Sequence, residues 1–224
     1  MKNQNDLKKM LQSFVSDFIN GLVKFNLFTQ NSKIVKTGKK MNVRLFNFGI
    51  PAYMSMTGLK TCPFAQECVE FCYGLGGCYQ FSNVKPAFEK RLAVTLTSNF
   101  ITLATNEIIR KKIEFLRVHD TGDYYSEEYL QKWFKIARLN PEVNFYSYTN
   151  NVEMIKKSKI PENFDFIFSS YGKQKNLIKP NDRQAKIFEN ELYLKFKGFE
   201  NCSENDLLST KWFSENKKVG LIKH

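Results

Sequence analysis

The sequence predicts an α/β fold: a partial (β/α) barrel of parallel strands preceded by an N-terminal amphipathic helix. Three observations lead there. Strand-like and helix-like segments alternate through the middle of the chain, a pattern that predicts parallel strands joined by crossover helices. Polar clusters close each apolar strand segment, where such folds gather functional residues. The 224 residues fall short of the roughly 250 typical of a full eight-stranded barrel.

The elements follow in order. Leu7, Leu11, Phe14, Val15, Phe18, Ile19 and Leu22 recur at three- and four-residue steps, so residues 5–24 form an amphipathic helix. The polar, basic stretch 31–40 reads as a loop or hairpin. Residues 43–51 alternate and end in Gly49-Ile50-Pro51, a strand running into a loop. Gly74, Gly76 and Gly77 make the next segment loop-like. Residues 86–112 read as one long helix, with Pro86 in its first turn. A short buried strand spans 114–119 and closes in a polar turn at 120–123. Ser126 is an N-cap with Glu127 and Glu128 behind it, and the helix 126–138 stops at Asn140-Pro141. A strand at 143–148, a short basic helix at 152–159 and a strand at 164–170 complete the series. The whole is one α/β domain, 1–224: helix and basic link to residue 40, barrel core 41–172, C-terminal extension 173–224.

Composition bounds the function. Apolar residues make up 42%, with 21 Phe and 10 Tyr, which marks a globular chain. No apolar run reaches the roughly 18–20 residues of a membrane span, and the N-terminus lacks the pattern of a secretory signal. The expected location is therefore the cytoplasm, with no membrane partner. The net charge of +12 suits nucleic acid or another polyanion. A solvated lysine-rich surface would give the same number, and the lysines are scattered.

Four of the five cysteines crowd into one stretch: Cys62, Cys68, Cys72 and Cys78, spaced C-x5-C-x3-C-x5-C. In a reducing compartment such crowding points to metal or cluster binding ahead of disulfides. Buried, unused thiols are the plain alternative. Cys202 is left over. Four polar groups fall at strand ends or just after: the cysteine loop, then His119, Asp120, Thr121, Gly122 and Asp123, then Thr149, Asn150 and Asn151, then Ser169, Ser170 and Tyr171. Parallel neighbouring strands would point all four into one mouth. His119 is one of two histidines, the other being terminal His224, and its ordinary pKa suits acid–base work.

The order of these features resembles the radical S-adenosylmethionine fold over roughly residues 42–172. That family carries a three-cysteine loop after its first strand, with an aromatic residue before the last cysteine; here Phe71 precedes Cys72. Thr121-Gly122-Asp123 stands where the family has a Gly-Gly-Glu-like motif, and Thr149-Asn150-Asn151 where it often has Thr-Asn-Gly. The cysteine spacing differs from the family's C-x3-C-x2-C, and the acid is Asp rather than Glu. The resemblance implies a [4Fe–4S] cluster on Cys62, Cys68 and Cys72, with S-adenosylmethionine on its open iron. Cys78 would be structural or replace one ligand. Thr121, Gly122, Asp123, Thr149, Asn150 and Ser169 would hold the cofactor, while His119 and Asp120 would face a nucleic-acid or nucleotide-derived substrate. An electron donor is then implied. The competing metal reading is Zn2+ on all four thiolates, a closed structural site in a basic nucleic-acid-binding protein.

Two further likenesses rest on motifs alone, the first on several and the second on one. Cys62-Pro63, Phe71-Cys72-Tyr73, the run from His119 to Ser126, and Phe145-Tyr146-Ser147-Tyr148-Thr149 are similar to the phage family named gene product eighty-eight, which places the chain in a host cytoplasm. The run from Asp120 to Tyr125 resembles the signature of guanine and deazaguanine transglycosylases. That likeness gives Asp120 base recognition or acid–base work and needs a second carboxylate as nucleophile. Asp165, near a strand start, and Asp182, in a loop, do not fit that role.

Overall fold

A computed structural model describes residues 4–223, so His224 lies outside the described residues. Seven strands form one sheet: β1 (Leu45–Phe48), β2 (Phe115–Val118), β3 (Asn144–Thr149), β4 (Phe164–Ser169), β5 (Gln184–Phe188), β6 (Glu200–Asn201) and β7 (Lys218–Ile222). All pair in parallel, in the order β1-β2-β3-β4-β5-β7-β6. The sheet curls into a half-barrel, so the expected partial barrel with its N-terminal helix is what the chain forms.

Among the described residues, seven α-helices accompany the sheet: α1 (Gln4–Ile19), α2 (Ser32–Met41), α3 (Val84–Thr95), α4 (Phe100–Lys111), α5 (Glu127–Leu139), α6 (Val152–Lys157) and α7 (Glu191–Phe196). The strand period of two divides the core. Phe48, Leu116, Val118, Phe145 and Phe166 pack outward against helices, with Trp133 and Phe100 at the centre of an aromatic cluster. Leu45, Phe115, Tyr146, Ile167 and Val219 face the concave side. There Ile34 of α2 and Leu207 of the 3₁₀ turn Asp206–Ser209 join them, and the opposite end of the sheet is left for a site.

Three expectations change. The basic stretch 31–40 is largely helix α2, because Asn31 caps it by accepting from Ile34 N and because Ile34, Thr37 and Gly38 form a buried stripe beneath the lysines. The single helix expected over 86–112 is two, α3 and α4. The break follows the local chemistry: Thr95 and Thr97 bond their hydroxyls to Leu92 O and Val94 O, and Lys132 takes the carbonyls of both threonines. Residues 173–224 supply β5, β6 and β7 to the same sheet, so the core continues past residue 172. Among the described residues, no helix is long and apolar enough to cross a membrane.

Candidate functional site

The C-terminal ends of β2, β3 and β4 and the loop after β1 surround a cleft of about 180 Å³. The loop is pinned on both sides. Asp123 N donates to Thr61 O at 3.1 Å, and Tyr73 OH donates to Asp120 O. Ala65 bridges Gly172, Cys68 N donates to Tyr171 O at 3.3 Å, and Phe71 stands edge-on to Tyr171. Gly74 permits this close approach, since a Cβ there would sit 2.7 Å from Thr121.

Cys62, Cys68 and Cys72 all line the cleft, while Cys78 is exposed and does not. Tyr53 N donates to Cys62 Sγ at 3.2 Å, and Asn150 Nδ2 lies 3.6 Å from Cys68 Sγ. Burial, then the charge of Asp123, pushes the Cys62 thiol well up. Burial also raises the Cys68 thiol, although Asn150 opposes it. Each of these thiols senses the charge of Cys72. Among the described residues, no three His, Cys, Asp or Glu side chains are arranged to hold one metal ion. A single zinc at about 2.3 Å from each sulfur would draw them to a point, whereas a cluster gives each thiolate its own iron. The three thiols that line the cleft are soft donors, the ligand type that either group takes.

Asp123 joins the strand ends. Its Oδ1 accepts from Thr149 Oγ1 at 2.6 Å and Tyr124 N at 2.8 Å, and its Oδ2 accepts from Asn150 N at 2.9 Å. Burial nevertheless raises its carboxyl to about 6. Asn150 Oδ1 is buried without a partner. Thr121 bonds Ile50 O, Gly122 takes φ +82° over Ile50, and both line the cleft with Ser169. Asp120 also lines it, but its carboxylate is engaged by Asn47 Nδ2 at 2.6 Å and by Thr121 N at 2.9 Å. Burial raises its carboxyl, against Arg117 and Arg91.

His119 sits at the end of β2 with φ 64°, among Phe48, Tyr124 and Tyr129. Its Nε2 pairs with Tyr129 OH at 2.9 Å, and its Nδ1 has no partner. Burial pushes the imidazole down to about 3, so it is neutral at physiological pH and lines the cleft as an uncharged ring. Asp165 and Asp182 are absent from the lining: Asp165 accepts from Lys211 N, and Asp182 pairs with Lys156.

Arg117 is the cleft residue that sequence reasoning missed. It is inward-facing on β2, its guanidinium 4.9 Å from the Tyr148 ring centre and bonded to Tyr73 OH. Its Nη1 bonds both carboxylate oxygens of Asp206 at 3.1 and 3.2 Å. Lys33 and Tyr146 complete that carboxylate's shell. A lone charge inside the apolar run 115–118 was the available signal.

No solved structure matches the chain. The Gene 88 protein of Mycobacterium phage L5 is 35% identical over 57 residues, which span 25% of this chain and 24% of that protein. The family model described as Gene product 88 matches residues 25–220, from ahead of β1 into β7, and the chain belongs to that family.

Proposed function

We propose that this protein is an iron–sulfur enzyme of the radical S-adenosylmethionine type, acting on nucleic acid or a nucleotide-derived molecule in a host cytoplasm. One observation carries the reading. Three of the four clustered thiols, and not the fourth, share the C-terminal mouth of a parallel half-barrel with Asp123, Thr149, Asn150 and Ser169. A [4Fe–4S] cluster on Cys62, Cys68 and Cys72 would pass an electron from an external one-electron donor to cleave a carbon–sulfur bond of S-adenosylmethionine.

The chain's own residues serve that chemistry. The Tyr53 N–H and the Asn150 amide, each directed at a sulfur, stabilise the thiolate form of Cys62 and Cys68. Asp123 is ionised above its raised value of about 6. Its Oδ2 accepts one bond in the structure, which leaves capacity for an ammonium group of the cofactor. Neutral His119 offers Nδ1 as a hydrogen-bonding atom without drawing charge into the cleft.

The test is anaerobic reconstitution with iron and sulfide. Expected are about four irons per chain, broad absorbance near ~400 nm and cleavage of S-adenosylmethionine. Cys62→Ala, Cys68→Ala and Cys72→Ala should each abolish the absorbance, and Cys78→Ala should keep it. A colourless protein holding stoichiometric zinc on all four thiols would overturn the reading. Exchange of labelled guanine by iron-free protein, lost in Asp120→Asn, would overturn it in favour of a transglycosylase.

A further inference from the structure

The short helix α7 turns large apolar side chains outward. Leu194 points in, fully buried, and packs so closely on Gly220 of β7 that a Cβ there would lie 2.4 Å from it. Leu192 and Phe196, four residues apart, stand on the opposite side and are 83% and 81% exposed. Tyr193 is half exposed beside them, and Phe188 packs its ring against both Tyr193 and Phe199.

Cations surround these rings. The Lys197 ammonium lies 5.3 Å from the Tyr193 ring centre and 5.7 Å from that of Phe196. Lys186 and Lys218 lie 5.8 and 6.0 Å from that of Phe199. Among the described residues, none of these three lysines has a carboxylate within ion-pair distance. A protein interface centre is depleted in lysine, and a second copy would bring like charges face to face. Exposed ring faces interleaved with unpaired cations instead suit a ligand with flat apolar faces and a charged backbone. Duplex DNA keeps its base faces stacked, so the fit is to a single strand.

We propose that Tyr193 and Phe196, with Lys186, Lys197 and Lys218, form a stacking platform for single-stranded nucleic acid. Ring faces take bases, and the lysines reach phosphates. Ala185 and Ile187 of β5 line the cleft, so Lys186 and Phe188, at alternate positions, face the other side of the sheet, and the platform lies on that outer face. The platform needs no thiol, so it stands apart from the cluster reading.

The experiment is fluorescence anisotropy of the full chain with a labelled single-stranded oligothymidylate of about twelve nucleotides, within the usual site size. Phe196→Ala and Tyr193→Ala should each weaken binding roughly five- to a hundred-fold with an unchanged circular dichroism spectrum. Lys186→Gln and Lys197→Gln should each flatten the log–log salt dependence by about 0.7. Cys62→Ala should bind like the parent whether or not iron is taken up. No binding by the parent, equal binding by Phe196→Ala, or preference for a duplex competitor would overturn the proposal. So would a dimer in sedimentation that Phe196→Ala dissociates while the oligonucleotide stays unbound.

Discussion

Arg117 and Asp206, 89 residues apart in sequence, meet through a buried pair in which one guanidinium nitrogen bonds both carboxylate oxygens. The contact ties the middle of β2 to the 3₁₀ turn that closes the concave face. Burial opposes ionisation of Asp206, yet Arg117 and Lys33 outweigh it and hold the carboxyl well below the usual range. Asp206→Ala leaves Arg117 buried and unpaired and should destabilise by about 3–5 kcal/mol in urea unfolding. Replacing both, as Arg117→Met with Asp206→Leu, should recover most of that loss. The contribution is full above the unfolded carboxylate value near 4 and disappears as pH falls through the depressed folded value.

A second prediction concerns His119. Its folded pKa is pushed from 6.5 to about 3 by burial, so the unfolded chain binds the extra proton between those values. Stability from this group is complete above pH 6.5 and is lost as pH falls toward 3, by up to about 1.4 kcal/mol per unit. His119→Gln should remove that slope. Denaturant midpoints of the two proteins, measured from pH 7 to pH 4, should diverge in the variant's favour toward acid. Parallel curves would mean that the imidazole is not buried as described.

Asp123 carries the opposite sign. Its folded value rises from 3.8 to about 6, so the folded state holds the proton more tightly. Its contribution is present below pH 3.8 and is lost as pH rises through 6. Asp123→Asn should therefore gain on the parent between pH 4 and 6, by up to about 1.4 kcal/mol per unit, and hold that gain above. On the proposed function the same variant loses S-adenosylmethionine cleavage. A group kept at a cost to stability and needed for activity is what a functional carboxylate looks like.

These residues show what was legible in the sequence. The parallel half-barrel was legible because alternation of strands and helices leaves few topologies, and because Ser126 caps α5 as its Ser-Glu-Glu run predicts. Asp123, Thr149 and Asn150 were placed together by the rule that strand ends share a mouth. The Arg117–Asp206 pair was not legible, since no local pattern links positions 89 apart and Asp206 lies in a stretch without periodicity. Helix α2 was missed because its lysines outnumber its buried stripe of Ile34, Thr37 and Gly38. The separation of Cys78 from the other three thiols follows from how the loop docks on β2 and β4, which spacing alone does not encode.

A fourth prediction rests on Gly49, at the end of β1. A Cβ there would lie 2.0 Å from Asp120 Oδ1 and 2.6 Å from the Phe88 ring. Neither neighbour is free to move, since Asp120 is held by Asn47 and Thr121 and Phe88 is buried. Gly49→Ala should destabilise by about 1–3 kcal/mol, the usual range for overpacking. It should also loosen the Asp120 side of the cleft, read as faster amide exchange at Thr121.

The last prediction uses the contact between Asn150 and Cys68 and needs no metal. Burial raises the Cys68 thiol, and the Asn150 amide, 3.6 Å from its sulfur, is one of the groups that lower it. Thiolate, not thiol, reacts with iodoacetamide. Asn150→Ala removes the donor, so residue-resolved alkylation at pH 8 in metal-free protein should slow at Cys68. Asn150→Asp goes further, because it sets a carboxylate against the sulfur, and should slow Cys68 more than the alanine variant does. Exposed Cys78, which has no such neighbour in the cleft, serves as the internal control and should alkylate at the parent rate in both variants. If Cys68 reacts equally fast in all three proteins, the amide does not stabilise its thiolate. Asn150 would then be left only its backbone bond to Asp123 as a tie within the cleft.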